Sequence, residues 1–248
     1  MSLELYFDRI QDLLGRIRET QAGAIRKAGE MVARSLKRGG IVHTFGTGHS
    51  HMVAEEAFFR AGGLVPVNAI LDSRFSFLEG ALESTRAERQ EGLAYGVLSK
   101  EHVTSDDTAI IISNSGRNAV PVEMALEMKS RGVPVIAISN LHQSSSAPSR
   151  HHTGKRLFEI ADLSIDTCVP PGDAVLHLES LEQRVGPAST VAGAVIINSI
   201  MIEAMLLTSD EGKPAPVFPS ANLTTTSDET IASLYRPFRG RIRCLDKT

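Results

Sequence analysis

The segment that most constrains the fold of this chain is residues 108–118, with the sequence TAIIISNSGRN. A mostly β-branched apolar run at 109–112 is followed by the polar loop SNSG at 113–116 and by a helical pattern that starts near Val120. This order predicts a buried strand, a tight loop and a helix. Such a junction directs backbone N–H groups and the positive end of a helix dipole toward one point. The segment therefore predicts an anion-binding loop.

A second junction of the same kind lies upstream. The apolar run at 41–45 leads into the loop GTGHS at 46–50, and a helical pattern continues from Met52 to Ala61. In open parallel sheets, ligands bind where neighbouring strands end and the chain turns into helices. The two junctions together predict one ligand held between two strand ends.

Composition limits the class of protein and its partners. The 248 residues are 42% hydrophobic and 22% charged, which is typical of one large globular α/β domain or of a domain with additions. A formal net charge of −3 provides no general attraction to nucleic acid or membrane, so we expect neither as a partner. Cys168 and Cys244 are too few and too far apart for a disulfide framework or a four-ligand zinc site. Because this favours a reducing compartment, and the N-terminus lacks the apolar core of a signal peptide, we predict a cytoplasmic protein.

The N-terminal segment has helical periodicity. Apolar and small residues recur every three or four positions from Leu3 to Ser35, which predicts an amphipathic helix, or a helix pair broken at Gly15, Gly23 or Gly29, up to Arg38. We therefore divide the chain into an N-terminal helical extension (1–38), a main domain (39–212) and a Pro- and Thr-rich tail (213–248) with a short helix from about Asp228.

The rest of the main domain alternates strand and helix patterns. Pro66 predicts an edge position for the short strand at 64–68. The polar segment 141–156, with five basic or histidine residues near its end, is either a solvated loop or a lid that brings cations to an anionic ligand. The other predicted elements are a loop with a short helix at 71–85, helices at 87–99, 120–131 and 157–161, and strands at 133–139 and 163–167.

A long apolar run at 191–207 is the one candidate membrane span in the sequence. Asn198 and Glu203 interrupt it, about 17 residues fall short of the roughly 20 that a span needs, and no basic flank follows. The run instead predicts a helix buried in the core or in a subunit interface. Together with the amphipathic N-terminal helix, it predicts a homodimer or homotetramer.

Four segments resemble a known family. They are GTGHSHMVAEEAFFRAGG at 46–63, SNSGRNAVPVEMALEMKSRG at 113–132, TGKR at 153–156 and VGPASTVAGAVIIN at 185–198. Over roughly residues 35–210 the chain resembles the sugar isomerase (SIS) domain family, and within it a phosphosugar-binding branch similar to phosphoheptose isomerase. The resemblance implies an α/β fold with a flavodoxin-like parallel sheet sandwiched by helices, here with an N-terminal helical extension. It also implies aldose–ketose chemistry without a nucleotide or metal, so we expect no cofactor.

The resemblance also implies which residues bind a sugar phosphate. Ser113, Ser115 and the backbone of Asn114 and Gly116 would hold the phosphate. Asn118 stands where the family usually has Thr or Ser, although its amide can still donate a hydrogen bond. The predicted substrate-binding set is Gly46, Thr47, Gly48, Ser50, Ser113, Asn114, Ser115, Gly116, Arg117, Asn118, Ser189 and Thr190.

Isomerisation between C1 and C2 needs a base that moves a proton between carbons and an acid for ring opening. Relatives similar to phosphoheptose isomerase place a glutamate ten positions beyond the loop serine, where this chain has Arg60. The candidate catalytic residues near the first loop are Glu55, Glu56, His49 and His51. A metal held by His49, His51 and Glu55 is not predicted, because no HExxH motif or cysteine pair accompanies them.

Two other functions are compatible with these patterns. A relative that cleaves the ether of N-acetylmuramic acid 6-phosphate also has a helix that starts with small residues and bears an asparagine, as 186–198 does here, so a sugar-phosphate lyase is one alternative. A non-catalytic phosphosugar sensor is the other, although sensors of this family carry a DNA-binding domain for which this chain has no room.

Overall fold

The structure is a computed structural model that describes residues 2–209 and 214–245. Its centre is a parallel sheet in the order β2-β1-β3-β4-β5. The strands are β1 (Val42–Gly46), β2 (Val67–Ala69), β3 (Thr108–Ile112), β4 (Val135–Ser139) and β5 (Leu163–Asp166). Helices lie on both faces, so the predicted flavodoxin-like sandwich is confirmed.

β3 and β4 form where apolar, mostly β-branched residues follow one another, whereas β1 also contains the buried polar residues His43 and Thr44. β1, β3 and β4 are buried at every position, as is typical of parallel strands covered by helices on both faces. β3 pairs with β1 from Val42–Thr108 to Gly46–Ile112, so both strands end at the same level of the sheet. The two predicted loops therefore begin side by side.

Nine α-helices are formed by the described residues. They are α1 (Ser2–Lys37), α2 (His49–Glu56), α3 (Ala81–Ala87), α4 (Leu93–Leu98), α5 (Ala119–Ser130), α6 (Leu141–Ser145), α7 (Leu157–Ile160), α8 (Ser189–Thr208) and α9 (Asp228–Tyr235). Residues of α1, α2 and α8 share one core cluster with the sheet, and residues of α4, α5 and α7 share the other. Short 3₁₀ helices occur at Ser73–Phe75, Arg236–Phe238 and Arg243–Leu245.

The N-terminal segment is a single helix, so the predicted alternative of a broken helix pair is wrong. α1 runs through Gly15 and Gly23 without interruption. Gly29 has a packing role, because a Cβ at this position would lie 2.5 Å from the Cβ of Glu203 on α8. The glycine thus lets α1 and α8 approach closely.

Several predicted boundaries differ from the structure. The strand expected at 64–68 is β2, which lies at the edge of the sheet as Pro66 predicted but three residues later. The helix expected at 87–99 is only α4, because Gly92 has φ +89° and the chain turns before it, and the short helix expected within 71–85 is α3. The helix after the first loop spans His49–Glu56 and does not continue to Ala61. An antiparallel pair, β6 (Ala174–Leu176) and β7 (Val185–Pro187), was not predicted.

Helix α8 contains the apolar run. Of the helices within the described part of the chain, it is the one long and apolar enough to cross a membrane. One side of it, including Ile196, Ile197 and Ile200, is buried in the core cluster that contains residues of α1 and α2. A core helix of a globular domain has the same length and composition.

The C-terminal segment packs back onto the sheet. Val217 forms an isolated bridge with Leu64, and Ile242 is fully buried. The predicted boundary between residues 212 and 213 lies outside the described residues, and the division at 38/39 stays a prediction.

Candidate functional site

The loops after β1 and β3 meet at the point where the strand order reverses. The chain continues from β1 to β2 on one side and then crosses to β3 on the other. In this topology a crevice opens between the carboxyl ends of the two strands. A crevice is therefore present between the two loops for which the sequence predicted a shared ligand.

An open cleft of about 400 Å³ occupies this position. Both loops contribute to it, together with the segment that contains α3 and with the start of α8. The lining residues are Thr47, Gly48, His49, Ser50, Phe77, Ala81, Ser84, Thr85, Glu88, Ser113, Asn114, Ser115, Asn118, Asp173 and Ser189. A narrower recess shares His49, Ser50, Asn114 and Ser189 with this cleft and is also lined by Thr190.

The second loop presents donors that the fold does not use. Ser113 Oγ accepts the N–H of Gly116 at 3.1 Å, which closes the turn, and Asn114 Oδ1 accepts the Thr167 hydroxyl at 3.0 Å. Neither the hydroxyl nor the N–H of Ser115 bonds to any of the described residues, although Ser115 lines the cleft. These groups precede α5, so the loop has the geometry of an anion site at a helix N-terminus.

Gly116 permits this loop conformation. Its φ is +61°, and a Cβ would lie 2.5 Å from Ser144 Oγ and 2.7 Å from Ser139 Oγ. A side chain here would be strained and would also collide with its neighbours.

Glu88 is the cleft residue that sequence reasoning missed. Its Oε2 accepts the Thr47 hydroxyl at 2.9 Å, and its Oε1 accepts the Asn118 amide at 2.7 Å. One carboxylate thus joins the two loops. Its backbone carbonyl also accepts the N–H of Val120 at 3.1 Å, which fixes the end of α3 against the start of α5.

The surroundings of Glu88 favour its neutral form more than water does. Burial raises the pKa of Glu88, and the hydrogen bond from Thr47 and the charges of Arg89 and Arg150 oppose this rise only in part. Arg150 Nη1 donates to Asn118 Oδ1 at 2.8 Å, so cations lie close to the carboxylate. A carboxyl group with a raised pKa in a cleft is a candidate acid or base.

Asn118 and Arg117 have different surroundings from those that the sequence suggested. The Asn118 amide donates to Glu88, and its carbonyl oxygen accepts from Arg150. Arg117 Nε is buried and has no hydrogen-bond partner among the described residues.

Ser189 is already bonded within the protein. Asp173 accepts the N–H of Ser189 at 2.6 Å, its hydroxyl at 2.9 Å and the N–H of Ala188 at 3.1 Å. This carboxylate caps the start of α8, so the Ser189 groups proposed for substrate are occupied by Asp173.

The four predicted catalytic residues lie in different environments. His49 lines the cleft, with its ring 5.0 Å from that of Phe77. His51 is buried, its Nδ1 has no partner within the described ranges, and burial lowers its pKa. Glu55 is 53% exposed beside His51, and Glu56 bonds to Asn198 and Arg60. His51, Glu55 and Glu56 are not among the described residues that line the cleft, because α2 directs their side chains elsewhere.

The fold and the crevice define a class of protein, the SIS domain proteins. The family model of the SIS domain matches residues 5–140, more than half of the chain, and the chain belongs to this family. Within it, the UPF0309 protein BH0227 of Halalkalibacterium halodurans is 41% identical over 231 residues, covering 93% of this chain and 92% of that protein.

Solved structures with this fold include enzymes and a sugar-phosphate complex. Phosphoheptose isomerase GmhA from Neisseria gonorrhoeae matches with a TM-score of 0.54 and 14% identity, covering 81% of this chain and 95% of that one. A phosphoheptose isomerase from Francisella tularensis matches with a TM-score of 0.55 and 15% identity, covering 82% of this chain and 96% of that one. The Vibrio vulnificus NanR protein complexed with ManNAc-6P matches with a TM-score of 0.52 and 14% identity, covering 83% of this chain and 62% of that one. At these identities the matches establish the shared fold.

Proposed function

We propose that this protein binds a sugar phosphate in the cleft and catalyses its aldose–ketose isomerisation, with Glu88 as the base. The observation that carries the proposal is the carboxylate of Glu88, which bonds to both loops and lies in the cleft that they form. The known ligands and activities of proteins with this fold support a sugar phosphate as the small-molecule partner.

The phosphate would bind the second loop. The hydroxyl and N–H of Ser115 and the N–H of Ala119, the first residue of α5, have no protein acceptor within the described residues, and a phosphate supplies the acceptors. Hydrogen bonds to charged groups contribute about 1.5–3 kcal/mol each. Three such bonds would anchor the substrate and leave the sugar carbons near the first loop and Glu88.

The proton transfer then follows from the position of Glu88. Its carboxylate removes the proton from C2 of the open-chain aldose, which gives an enediol after the carbonyl oxygen gains a proton. The protonated carboxyl returns a proton to C1, and the C2 hydroxyl loses one to become the ketose carbonyl, so no proton is gained or lost overall. A pKa raised toward neutrality suits a group that both takes and returns a proton. His49, at the same cleft, is our candidate for the acid that opens the sugar ring.

The proposal includes a cytoplasmic location and no cofactor. The small number of cysteines and their wide separation in the sequence support this location.

Glu88→Gln tests the assignment of the base. The substitution keeps size and one hydrogen-bond acceptor but removes the basic carboxylate, and loss of a general base typically lowers the rate ~10²–10⁴-fold. A panel of sugar phosphates is first screened by thermal shift. Those that bind are then incubated in D₂O, and deuterium incorporation at C2 is measured by NMR.

Two further variants compare Glu88 with the sequence-based candidates. Glu55→Gln and Glu56→Gln make the same chemical change on α2, outside the cleft. Loss of exchange in Glu88→Gln alone supports the proposal, whereas loss in a Glu55 or Glu56 variant alone would return the role to α2. Binding without exchange by any sugar phosphate would favour a sensor or a lyase.

A further inference from the structure

A second cluster of polar side chains lies outside the cleft. It consists of Glu91, in the turn between α3 and α4, and of His151 and His152, in the loop between α6 and α7. One potential ligand atom from each residue lies within 4.8 Å of the other two. The sequence did not predict this cluster, since the one metal site weighed from it was His49, His51 and Glu55, where no metal was expected.

His151 is the unusual member of this cluster. Its side chain is fully buried, and Nδ1 lies 2.8 Å from the Thr153 hydroxyl. Nε2 is also buried and has no hydrogen-bond partner in the part of the chain that is described. Leaving a buried polar atom unpaired is unfavourable, so a ligand for Nε2 would remove a penalty.

The position of Nε2 relative to Glu123 shows which way the ring faces. Nε2 is 3.7 Å from Glu123 Oε1, which is too far for a hydrogen bond. The same oxygen accepts the N–H of Gly92 at 2.6 Å. Nε2 therefore lies beside the turn that carries Glu91 and Gly92. The Thr153 N–H donates to Nδ1 at 3.4 Å, and the Thr153 hydroxyl lies 2.8 Å from the same atom. Binding of a metal by Nε2 requires the tautomer in which Nδ1 carries the proton and donates to the Thr153 hydroxyl, which is the usual state of a metal-binding histidine.

Glu91 and His152 supply the exposed side of the cluster. Glu91 Oε1 accepts the His152 N–H at 2.7 Å, and Oε2 lies 2.8 Å from His152 Nδ1. The rings of His151 and His152 are 4.2 Å apart. Both Glu91 and His152 are accessible to solvent, so an ion can enter and water can complete its coordination.

We propose that Glu91, His151 and His152 bind a divalent transition-metal ion of the zinc class. Two imidazoles and one carboxylate are a donor set typical of Zn²⁺, whereas Mg²⁺ and Ca²⁺ prefer oxygen ligands alone. Bonds of about 2.0–2.2 Å to a tetrahedral ion require ligand atoms roughly 3.3–3.5 Å apart. The buried His151 side chain is already fixed. Rotation of the exposed Glu91 and His152 side chains would shorten the distances between the ligand atoms from the present 4.8 Å or less to those that the ion requires.

The ion would connect the segment that carries Glu88, which lines the cleft, with the loop whose Arg150 donates to the cleft residue Asn118. Glu88 lies three residues before Glu91, and Arg150 directly precedes His151. A metal bound between them would hold the end of α3 against the 150–152 loop. Its role toward Glu88 would be positioning, and the ion itself would take no part in proton transfer.

Zinc titration of the full-length protein tests the site without any sugar. Chelator-treated protein is titrated with Zn²⁺ by calorimetry, and Co²⁺ is used as a probe whose visible absorption reports tetrahedral coordination. We expect one ion per chain with micromolar or tighter affinity. Because Glu91 and His152 are exposed, Glu91→Gln and His152→Ala should remain folded and should each weaken binding at least tenfold.

His142→Ala is the matched control, because His142 is an exposed histidine on the neighbouring helix α6. It should bind Zn²⁺ as the wild type does. The proposal is overturned by absence of 1:1 binding in the wild type, or by unchanged affinity in the double variant Glu91→Gln/His152→Ala. Either result is independent of whether the protein isomerises sugars.

Discussion

At the scale of single residues, the protonation of Glu88 depends on opposing contacts. Burial favours the neutral acid, whereas the hydrogen bond from the Thr47 hydroxyl favours the carboxylate. Thr47 thus has a role that the sequence could not indicate. It was predicted to contact sugar hydroxyls, but its own hydroxyl faces the carboxylate in the structure.

Thr47→Val should therefore change the pH dependence of catalysis. The substitution preserves shape but removes the donor that lowers the pKa of Glu88, so the pKa should rise further. Since the base works only when ionised, the acidic limb of the C2 exchange rate should move to higher pH. The pH–rate profile of wild type and variant at saturating substrate measures this shift.

Thr85→Val is the control for this prediction. Thr85 lines the same cleft, but its hydroxyl donates to the carbonyl of Ala81 at 3.0 Å. The acidic limb of the pH–rate profile of Thr85→Val should coincide with that of the wild type. An equal displacement in both variants, or none in Thr47→Val, would contradict control of the base by Thr47.

At the scale of elements, the second loop has two serines with different roles. The Ser113 hydroxyl accepts the Gly116 N–H and shapes the loop, whereas Ser115 has no partner among the residues described. We therefore expect Ser115→Ala to weaken binding of a sugar phosphate by about 10- to 150-fold, the equivalent of one hydrogen bond of about 1.5–3 kcal/mol to a charged group.

Thermal shift measures this effect, since a ligand that binds the native state raises its stability. The double variant Ser113→Ala/Ser115→Ala should lose the stabilisation by sugar phosphate and by high concentrations of inorganic phosphate. Ser145→Ala, on the exposed part of α6, should keep it. A double variant with the wild-type shift would disprove the phosphate assignment.

The elements also show how far the sequence could predict this protein. The strands around the site were predictable because β3 is a nearly continuous apolar run, β1 is rich in apolar and β-branched residues, and both end in loops of Gly, Ser and Thr. Each of these features is local. The position of Glu88 was not predictable, because its partners Thr47 and Asn118 lie 41 and 30 residues away in the chain. The segment around it has no clear period, since short α3 and α4 are separated by Gly92.

The catalytic role of Glu55 and Glu56 stays a prediction, although neither residue lines the cleft. Closeness to the loop in sequence suggested closeness to the ligand, but α2 turns these side chains toward solvent, Asn198 and Arg60. Helical periodicity alone does not tell which face of α2 meets the cleft.

At the scale of the whole molecule, a buried carboxylate links the C-terminal segment to the sheet. Asp107 is fully buried and accepts hydrogen bonds from the N–H groups of Ile41 and Thr104 and from Arg241. Burial raises its pKa, but the hydrogen bonds from His43, Thr104 and Ile41 outweigh this effect and lower the pKa to about 2.

This lowered pKa predicts how stability depends on pH. A carboxyl with a lowered folded-state pKa stabilises the protein above its unfolded pKa of about 3.9, and this stabilisation is lost as pH falls toward 2. The difference between the two pKa values corresponds to roughly 2–3 kcal/mol. Asp107→Asn should lower the free energy of unfolding by at least this amount at pH 7, and the difference from wild type should shrink below about pH 4. Urea unfolding at about pH 7 and pH 3 measures both quantities.

Asp106→Asn provides the comparison. Asp106 is the adjacent residue and forms an exposed ion pair with Arg38 at 3.3 Å, and such pairs contribute about 0–1 kcal/mol. If the two variants lose similar amounts of free energy of unfolding at neutral pH, the buried network around Asp107 is not what stabilises the C-terminal segment.

The last prediction concerns assembly. Val191, Val195, Ile202 and Leu206 form an exposed apolar stripe along α8, with Ile202 56% and Leu206 69% exposed. Residues with this spacing lie on one face of a helix, and a continuous apolar face of this kind is typical of an interface. We therefore expect a homodimer or homotetramer, and we expect Ile202→Glu/Leu206→Glu to dissociate it because the interface would have to bury two charges. Leu223→Glu changes an equally exposed leucine in the C-terminal segment and should leave the assembly intact. Sedimentation velocity at micromolar concentration distinguishes these outcomes, and a wild-type protein with the mass of one chain would contradict the prediction.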